Sequence, residues 1–262
     1  MSLAHQPMAP VRPMPGPPVF SGALKVVSAE RSGPLARLRF EVPDAFAGAR
    51  AGQFALLSAL RPGAPLLGRP ISVILGPMLE FAFAVVGAGT AALAEAEPGE
   101  AVQVTGPLGN SFAAAERASL IVCDATHFGT FVALAQERAA AGAPADLLYV
   151  SGEGPIRALD EPVLSWLRPP FRSAKVVPLS ALSQALDPCA GATVAAGARD
   201  AVMAVLQRRA ASASLTAEAA VQAPMACGLG VCQVCIRTTR QGAPFLVCET
   251  PVVPIATPVF AP

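Results

Sequence analysis

Four of the chain's six cysteines crowd into one short stretch with the spacing C-x4-C-x2-C-x12-C: Cys227, Cys232, Cys235 and Cys248. Four thiolates so placed meet the needs of a plant-type [2Fe–2S] cluster, in which a C-x4-C-x2-C loop is completed by a distant fourth cysteine. Gly228 and Gly230 lie between the first two ligands. Lacking a Cβ, they let the backbone wrap closely and turn its N–H groups toward sulfur, an interaction that helps set a cluster's potential. Zinc and buried structural thiols are the alternatives. Zinc sites favour two paired hooks, often with histidine, and this stretch has one such hook and no histidine. Cys123 sits in an apolar run and reads as a core residue. Cys189, after Asp187-Pro188, reads as a loop thiol.

A cluster loop needs a larger body to hold it, and 262 residues suit two or three compact units. Apolar residues make up 53% and charged residues 14%, a globular balance. The net charge of +1 gives no reason to expect nucleic acid or an anionic membrane as partner. The most apolar stretch, 71–94, is broken by Pro77, Glu80 and three glycines, which a membrane-spanning helix would not carry. The proline-rich start, 1–18, has no apolar signal-peptide core and reads as an extended arm, so a cytoplasmic location is expected.

The rhythm of the chain changes twice. From 35 to 43, Leu38, Phe40 and Val42 alternate with Arg37, Arg39 and Glu41, the period of a half-buried strand. Further strands are predicted at 53–59, 70–75, 79–86 and 101–105, punctuated by Gly and Pro as in an antiparallel barrel or sandwich. Then short apolar runs at 120–123, 147–151, 175–178 and 193–196 alternate with helical stretches at 131–140, 156–167, 179–186 and 199–209. That alternation implies a parallel sheet covered by helices. The Ala/Ser-rich 210–220 reads as a linker before the cysteines.

Three segments of the first part carry ligand chemistry. Arg69-Pro70-Ile71-Ser72 opens a predicted strand. An arginine there can hold a pyrophosphate by charge-assisted, bidentate bonds, and a serine two residues past the proline can reach an isoalloxazine edge. Val86-Gly87-Ala88-Gly89-Thr90 is a glycine turn entering a helical run at 91–97, a ready phosphate site or a plain tight turn. Gly106-Pro107-Leu108-Gly109-Asn110 closes the strand region.

In this order, and with Met225-Ala226-Cys227-Gly228-Leu229-Gly230-Val231-Cys232 downstream, the motifs resemble those of the electron-transfer subunits of two-subunit, NAD-linked dihydroorotate dehydrogenases, within the ferredoxin–NADP reductase superfamily. The resemblance covers residues 19–262. It implies an α+β multidomain chain: an antiparallel β-barrel flavin domain at 19–113, an α/β nucleotide-type domain with a parallel sheet at 114–212, and a [2Fe–2S] segment at 213–262. It implies FAD as the flavin, held by Arg69, Pro70, Ile71, Ser72, Val86, Gly87, Gly89 and Thr90. It also implies a partner, an FMN-containing catalytic subunit in a heterotetramer, oxidising dihydroorotate in pyrimidine biosynthesis. Two rival readings are the small flavin subunit of an electron-bifurcating ferredoxin–NADP transhydrogenase, similar in all these motifs, and a scaffold subunit that keeps only the cluster.

The chain departs from the family in one half-site. Where the family has G-G-x-G-x-x-P after the first strand of the α/β unit, this chain has Cys123-Asp124-Ala125-Thr126-His127-Phe128-Gly129-Thr130. Where the family has C-G-P, it has Ala195-Ala196-Gly197-Ala198-Arg199, and Glu249-Thr250-Pro251 replaces a D-G-P. A glycine-poor loop opposes close approach of a dinucleotide, and Asp124 would repel its phosphates. The reading is that flavin and cluster persist while NAD(H) use is in doubt; the alternative is NAD(H) binding through a divergent loop. His127 reads as a capping or loop-filling residue, with a proton-relay role as the alternative. No acid–base constellation stands out, so no catalytic residue is assigned within this chain.

Overall fold

The computed structural model describes residues 19–113, 117–166, 171–213 and 215–260. The proline-rich arm expected at 1–18 lies outside the described residues.

The first part forms β1 (Phe20–Lys25), β2 (Ser28–Ser32), β3 (Leu35–Phe40), β4 (Phe54–Ala59), β5 (Arg69–Ser72), β6 (Ile74–Leu75), β7 (Leu79–Ala84), helix α1 (Ala88–Ala94) and β8 (Ala101–Leu108). These strands make two four-stranded antiparallel sheets, ordered β1-β8-β4-β5 and β2-β3-β7-β6. In β3 the alternation works as anticipated: Leu38 and Phe40 are buried, and Arg37 and Arg39 reach out to Glu80 on β7. Phe40, Phe46, Phe81, Leu57 and Val104 fill the space between the sheets. The first two strands were not anticipated. β1 carries Gly22 and small residues, and β2 carries Glu30 and Arg31, so neither shows a clean apolar period.

The second part runs β9 (Leu120–Cys123), α2 (Phe128–Ala140), β10 (Asp146–Val150), α3 (Asp160–Trp166), β11 (Ala174–Val177), α4 (Leu179–Ala185), β12 (Thr193–Gly197), α5 (Asp200–Ala213) and β13 (Thr216–Ala220). Together with β16 (Val252–Pro254) these strands order as β11-β10-β9-β12-β13-β16; all pairs are parallel except the last. β9 starts the sheet in its middle, with β10 on one side and β12 on the other. The strand order therefore reverses between β9 and β12, the switch point where open α/β sheets leave a crevice at the strands' carboxyl ends.

Two expectations are corrected. The predicted linker at 210–220 is the last turn of α5 followed by β13. Alanines suit a helix end, and the small residues of β13 fit between β12 and β16. The helix expected at 156–167 begins as a tight 3₁₀ turn, Gly154–Leu159, and becomes α-helical only at Asp160–Trp166; Leu167 lies outside the described residues.

The cysteine stretch follows β13 and contains the hairpin β14 (Ile236–Thr238) and β15 (Pro244–Leu246) before the chain returns as β16. Its inner side joins the core: Cys235, Val247 and Cys248 pack in one cluster with Phe54 and Leu108 of the antiparallel sheets and Val194 of β12. Among the described residues no helix is long and apolar enough to cross a membrane.

Candidate functional site

Arg69 begins β5, which pairs with β4 so that Leu57 faces Arg69 and Phe54 faces Ser72. Ile71 points into the core, 6% exposed, and Ser72, next along the strand, faces the other way. The Arg69 guanidinium then lies across the start of α1. A Cβ built on Gly89 would fall 1.9 Å from Arg69 Nε, so only glycine leaves the arginine room there. Thr90 fixes the turn ahead of it. Its Oγ1 accepts from the N–H of Val86 (2.9 Å) and of Gly87 (3.1 Å), and donates to Gly87 O at 3.0 Å. The first amide to donate within the helix is that of Ala91, to Gly87 O, so the N–H groups of Ala88, Gly89 and Thr90 lead the helix without intrahelical acceptors. A guanidinium beside leading amides is a place for an anion.

Arg69, Pro70, Ile71, Ser72, Val86 and Thr90 line one cleft of about 330 Å³ between the antiparallel sheets and the start of α2. The opposite wall comes from Thr126, His127, Phe128 and Gly129. Gly129 eases this closeness, because a Cβ there would meet the Ala82 carbonyl at a tight 3.2 Å. Ser72 is held by a residue that its own motif does not contain: its Oγ lies 2.7 Å from Thr130 Oγ1, and Thr130 is 5% exposed. A second, smaller cleft shares Pro70, Ser72, Thr126 and His127 with the first and ends at Met225 and Pro251. Those residues flank Cys227 and Cys248. The two hollows thus lead from Arg69 to the foot of the cysteine stretch.

In that stretch Gly228 (φ 67°), Gly230 (φ 77°) and Gln233 (φ 58°) take left-handed backbone. At Gly230 this turns the N–H onto Cys248 Sγ at 3.2 Å. The N–H groups of Leu229 and Cys232 donate to Cys227 Sγ, and that of Cys248 to Cys235 Sγ, each at 3.4 Å. The thiols also pair, Cys232 with Cys227 and Cys235 with Cys248. The amide of Cys232, then that of Leu229, pull Cys227 down to about 6, whereas burial, then the Cys235 thiol, push Cys248 up to about 12. Among the described residues no group of three or more His, Cys, Asp or Glu side chains closes on one metal position. Two thiol pairs, each receiving backbone N–H bonds, suit a two-iron group in which each iron takes two cysteines.

The loop that departs from the family motif is internally bonded. Asp124 is fully buried after β9 and forms an ion pair with Arg199, which follows β12, at 3.0 Å. The Arg199 N–H also donates to Asp124 Oδ2, and its guanidinium reaches Ser151 O after β10. This pair spans the carboxyl ends of β9 and β12, at the switch point of the sheet. The other carboxylate oxygen accepts from Thr126 N–H (2.9 Å) and Thr126 Oγ1 (2.6 Å), and Thr126 Oγ1 lies 2.9 Å from His127 Nδ1. Neither Thr130 nor this chain of bonds was visible in the sequence. Their partners lie up to 75 residues apart, and no spacing rule marks them.

No family model matches the chain. Among curated proteins it is similar to the electron transfer subunit of dihydroorotate dehydrogenase B (NAD(+)) from Desulforamulus reducens, 39% identical over 79 residues, 29% of this chain and 30% of that one. It is also similar to the subunit of that name from Clostridium acetobutylicum, 43% identical over 65 residues, 24% of this chain and 26% of that one. The matches thus span less than a third of those relatives' length. Among solved structures the fold is similar to that of an NADH-dependent reduced ferredoxin–NADP oxidoreductase studied for flavin-based electron bifurcation, at 16% identity, with 90% of each chain covered and a TM-score of 0.67. It is also similar to a ferredoxin reductase of carbazole 1,9a-dioxygenase, at 18% identity over 77% of this chain and 68% of that one, TM-score 0.58. The relatives and the fold agree with the resemblance carried by the motifs: the architecture is that of ferredoxin-reductase-like flavoproteins.

Proposed function

We propose that this chain is a flavin-based electron-transfer subunit that holds FAD in the Arg69 cleft and a [2Fe–2S] cluster on Cys227, Cys232, Cys235 and Cys248. In this reading residues 19–113 hold the flavin, 114–212 form a nucleotide-type unit without its nucleotide, and 213–262 hold the cluster. When bound, the flavin exchanges electrons in pairs and the cluster one at a time. The chain's residues do the rest. Arg69 neutralises the pyrophosphate beside the leading amides of α1, and Thr90 and Gly87 keep that turn in shape. Thr130 holds Ser72 in one orientation toward the ring. The four cysteines ligate iron, and the amides of Leu229, Gly230, Cys232 and Cys248 stabilise their negative charge. The observation that supports the reading is the run of the two hollows from Arg69 to Met225 and Pro251, which joins the Arg69 cleft to the foot of the cysteine stretch.

Around the cysteines Leu229, Val231, Val234 and Ile236 are each at least half exposed. Apolar groups beside an electron donor suit a partner subunit, here an FMN-containing dehydrogenase of the dihydroorotate-oxidising kind in a heteromeric complex. The Asp124–Arg199 pair argues against NAD(H). It puts a carboxylate and a satisfied guanidinium where a dinucleotide's phosphates would need free donors. Anaerobic addition of NADH should leave the flavin band unchanged while dithionite bleaches it, and a dehydrogenase subunit should co-purify. Prompt bleaching by micromolar NADH would overturn the exclusion of NAD(H). A second reading, the small flavin subunit of an electron-bifurcating ferredoxin–NADP transhydrogenase, is favoured by the fold match over 90% of both chains; the co-purifying subunit separates the two.

A further inference from the structure

We propose that His127 is the proton acceptor for the bound flavin, fixed as its Nδ1–H tautomer by Thr126 and Asp124. The proposal rests on the FAD reading above and deepens it. Thr126 has one hydroxyl hydrogen, which goes to Asp124 Oδ1 at 2.6 Å. Its oxygen can therefore only accept from the imidazole, so the 2.9 Å contact places the hydrogen on Nδ1 of His127. Asp124 cannot swing away, since Arg199 and the backbone N–H groups of Thr126 and Arg199 hold both its oxygens. The imidazole is left with a bare Nε2 on its far side, and among the described residues Nε2 has no hydrogen-bond partner. His127 lines both halves of the cleft, opposite Ser72 and Arg69.

The chemistry explains why such a group is needed here. Oxidation of reduced flavin releases two electrons and one proton. A nicotinamide removes all three together as hydride. A one-electron carrier of the iron–sulfur class takes only electrons, one in each of two steps, and the proton must go elsewhere. It passes to His127 Nε2, and the resulting imidazolium releases it to solvent through the open cleft. In the opposite direction His127 takes a proton from solvent and returns it. Burial lowers the proton affinity of His127 below the ordinary histidine value, while Asp124 and Asp200 of α5 pull the other way. The neutral acceptor thus prevails near pH 7, and two carboxylates stand ready to stabilise the transient cation.

The test uses the full chain, purified anaerobically with its flavin, whose occupancy is read first by absorbance. Only His5 and His127 contribute to histidine ¹⁵N spectra, and His5→Gln removes one. His127 should resonate as the Nδ1–H tautomer, and Thr126→Val should shift it toward Nε2–H. Stopped-flow oxidation of the reduced flavin by ferricyanide should slow in acid, only once pH has fallen below the ordinary histidine range, because burial lowers the folded proton affinity of His127. In His127→Gln it should be slower by about 10²-fold and lose that pH dependence. A flavin-loaded protein whose His127 is the Nε2–H tautomer, or a variant that keeps both rate and pH profile, would overturn the proposal alone. A protein that takes up no FAD would overturn the binding reading beneath it as well.

Discussion

At the scale of single residues, the buried carboxylate of Asp124 gives the most direct energetic prediction. Among the described residues its ion-pair partner is Arg199. Removing one partner of a buried pair leaves the other uncompensated, at a cost of about 3–5 kcal/mol. Arg199→Met should lower the unfolding free energy by that amount in urea titrations, and Asp124→Asn with Arg199→Met should recover part of it. His127 gives a prediction in pH. Its folded proton affinity lies below the unfolded value because burial outweighs the nearby carboxylates. The unfolded chain therefore binds the proton better, and stability should fall as pH drops through about 6.5. Thermal unfolding of His127→Gln should show a flatter dependence over that window. The cysteines and Arg69-Pro70-Ile71-Ser72 could be singled out from the sequence because the chemistry proposed for them depends on spacing along the chain. The Asp124–Arg199 pair was not, because the two sit after different strands and meet only through the order of the sheet. The sequence marked both as departures from a pattern; that one departure bonds the other is a fact of the fold.

Among the elements, α1 shows how a short segment can be built around one side chain. A methyl at Gly89 would strike the far part of a flexible arginine, so Gly89→Ala should cost the fold little. The guanidinium would have to leave the leading amides, and flavin retention on gel filtration should drop about tenfold, with the unfolding temperature nearly unchanged. Strands with clean alternation, such as β3, and apolar runs such as β9 and β10 could be read from the sequence. β1 and β2 could not, since their neighbours rather than their own residues decide that they are strands. The same cause turned the expected linker into β13. Its Ala217 and Ala219 look featureless alone but are buried once β12 and β16 flank them.

For the molecule as a whole, the question is what keeps the cysteine stretch against the Arg69 cleft. Asn110 at the end of the antiparallel part acts as a staple. Its side chain donates to Val252 O at 2.7 Å and accepts from Val252 N–H at 3.0 Å, as a neighbouring strand would. Arg237 of β14 pairs with Asp200 of α5 at 2.8 Å, and the Arg37 guanidinium of β3 lies 4.5 Å from the centre of the Trp166 ring on α3. Asn110→Ala should cost about 1–3 kcal/mol in thermal unfolding and slow electron exchange between flavin and cluster in stopped-flow traces, with each cofactor still bound. All of this depends on two cofactors sharing one chain. Electron paramagnetic resonance of the anaerobically reduced protein, read beside its iron, sulfide and flavin content, tests that most directly. The account predicts the signal of one reduced [2Fe–2S] centre per bound flavin, lost when Cys232 is replaced by Ser and kept when Cys123 is. A protein that holds zinc in its four cysteines, or gives no such signal while flavin is bound, would contradict it.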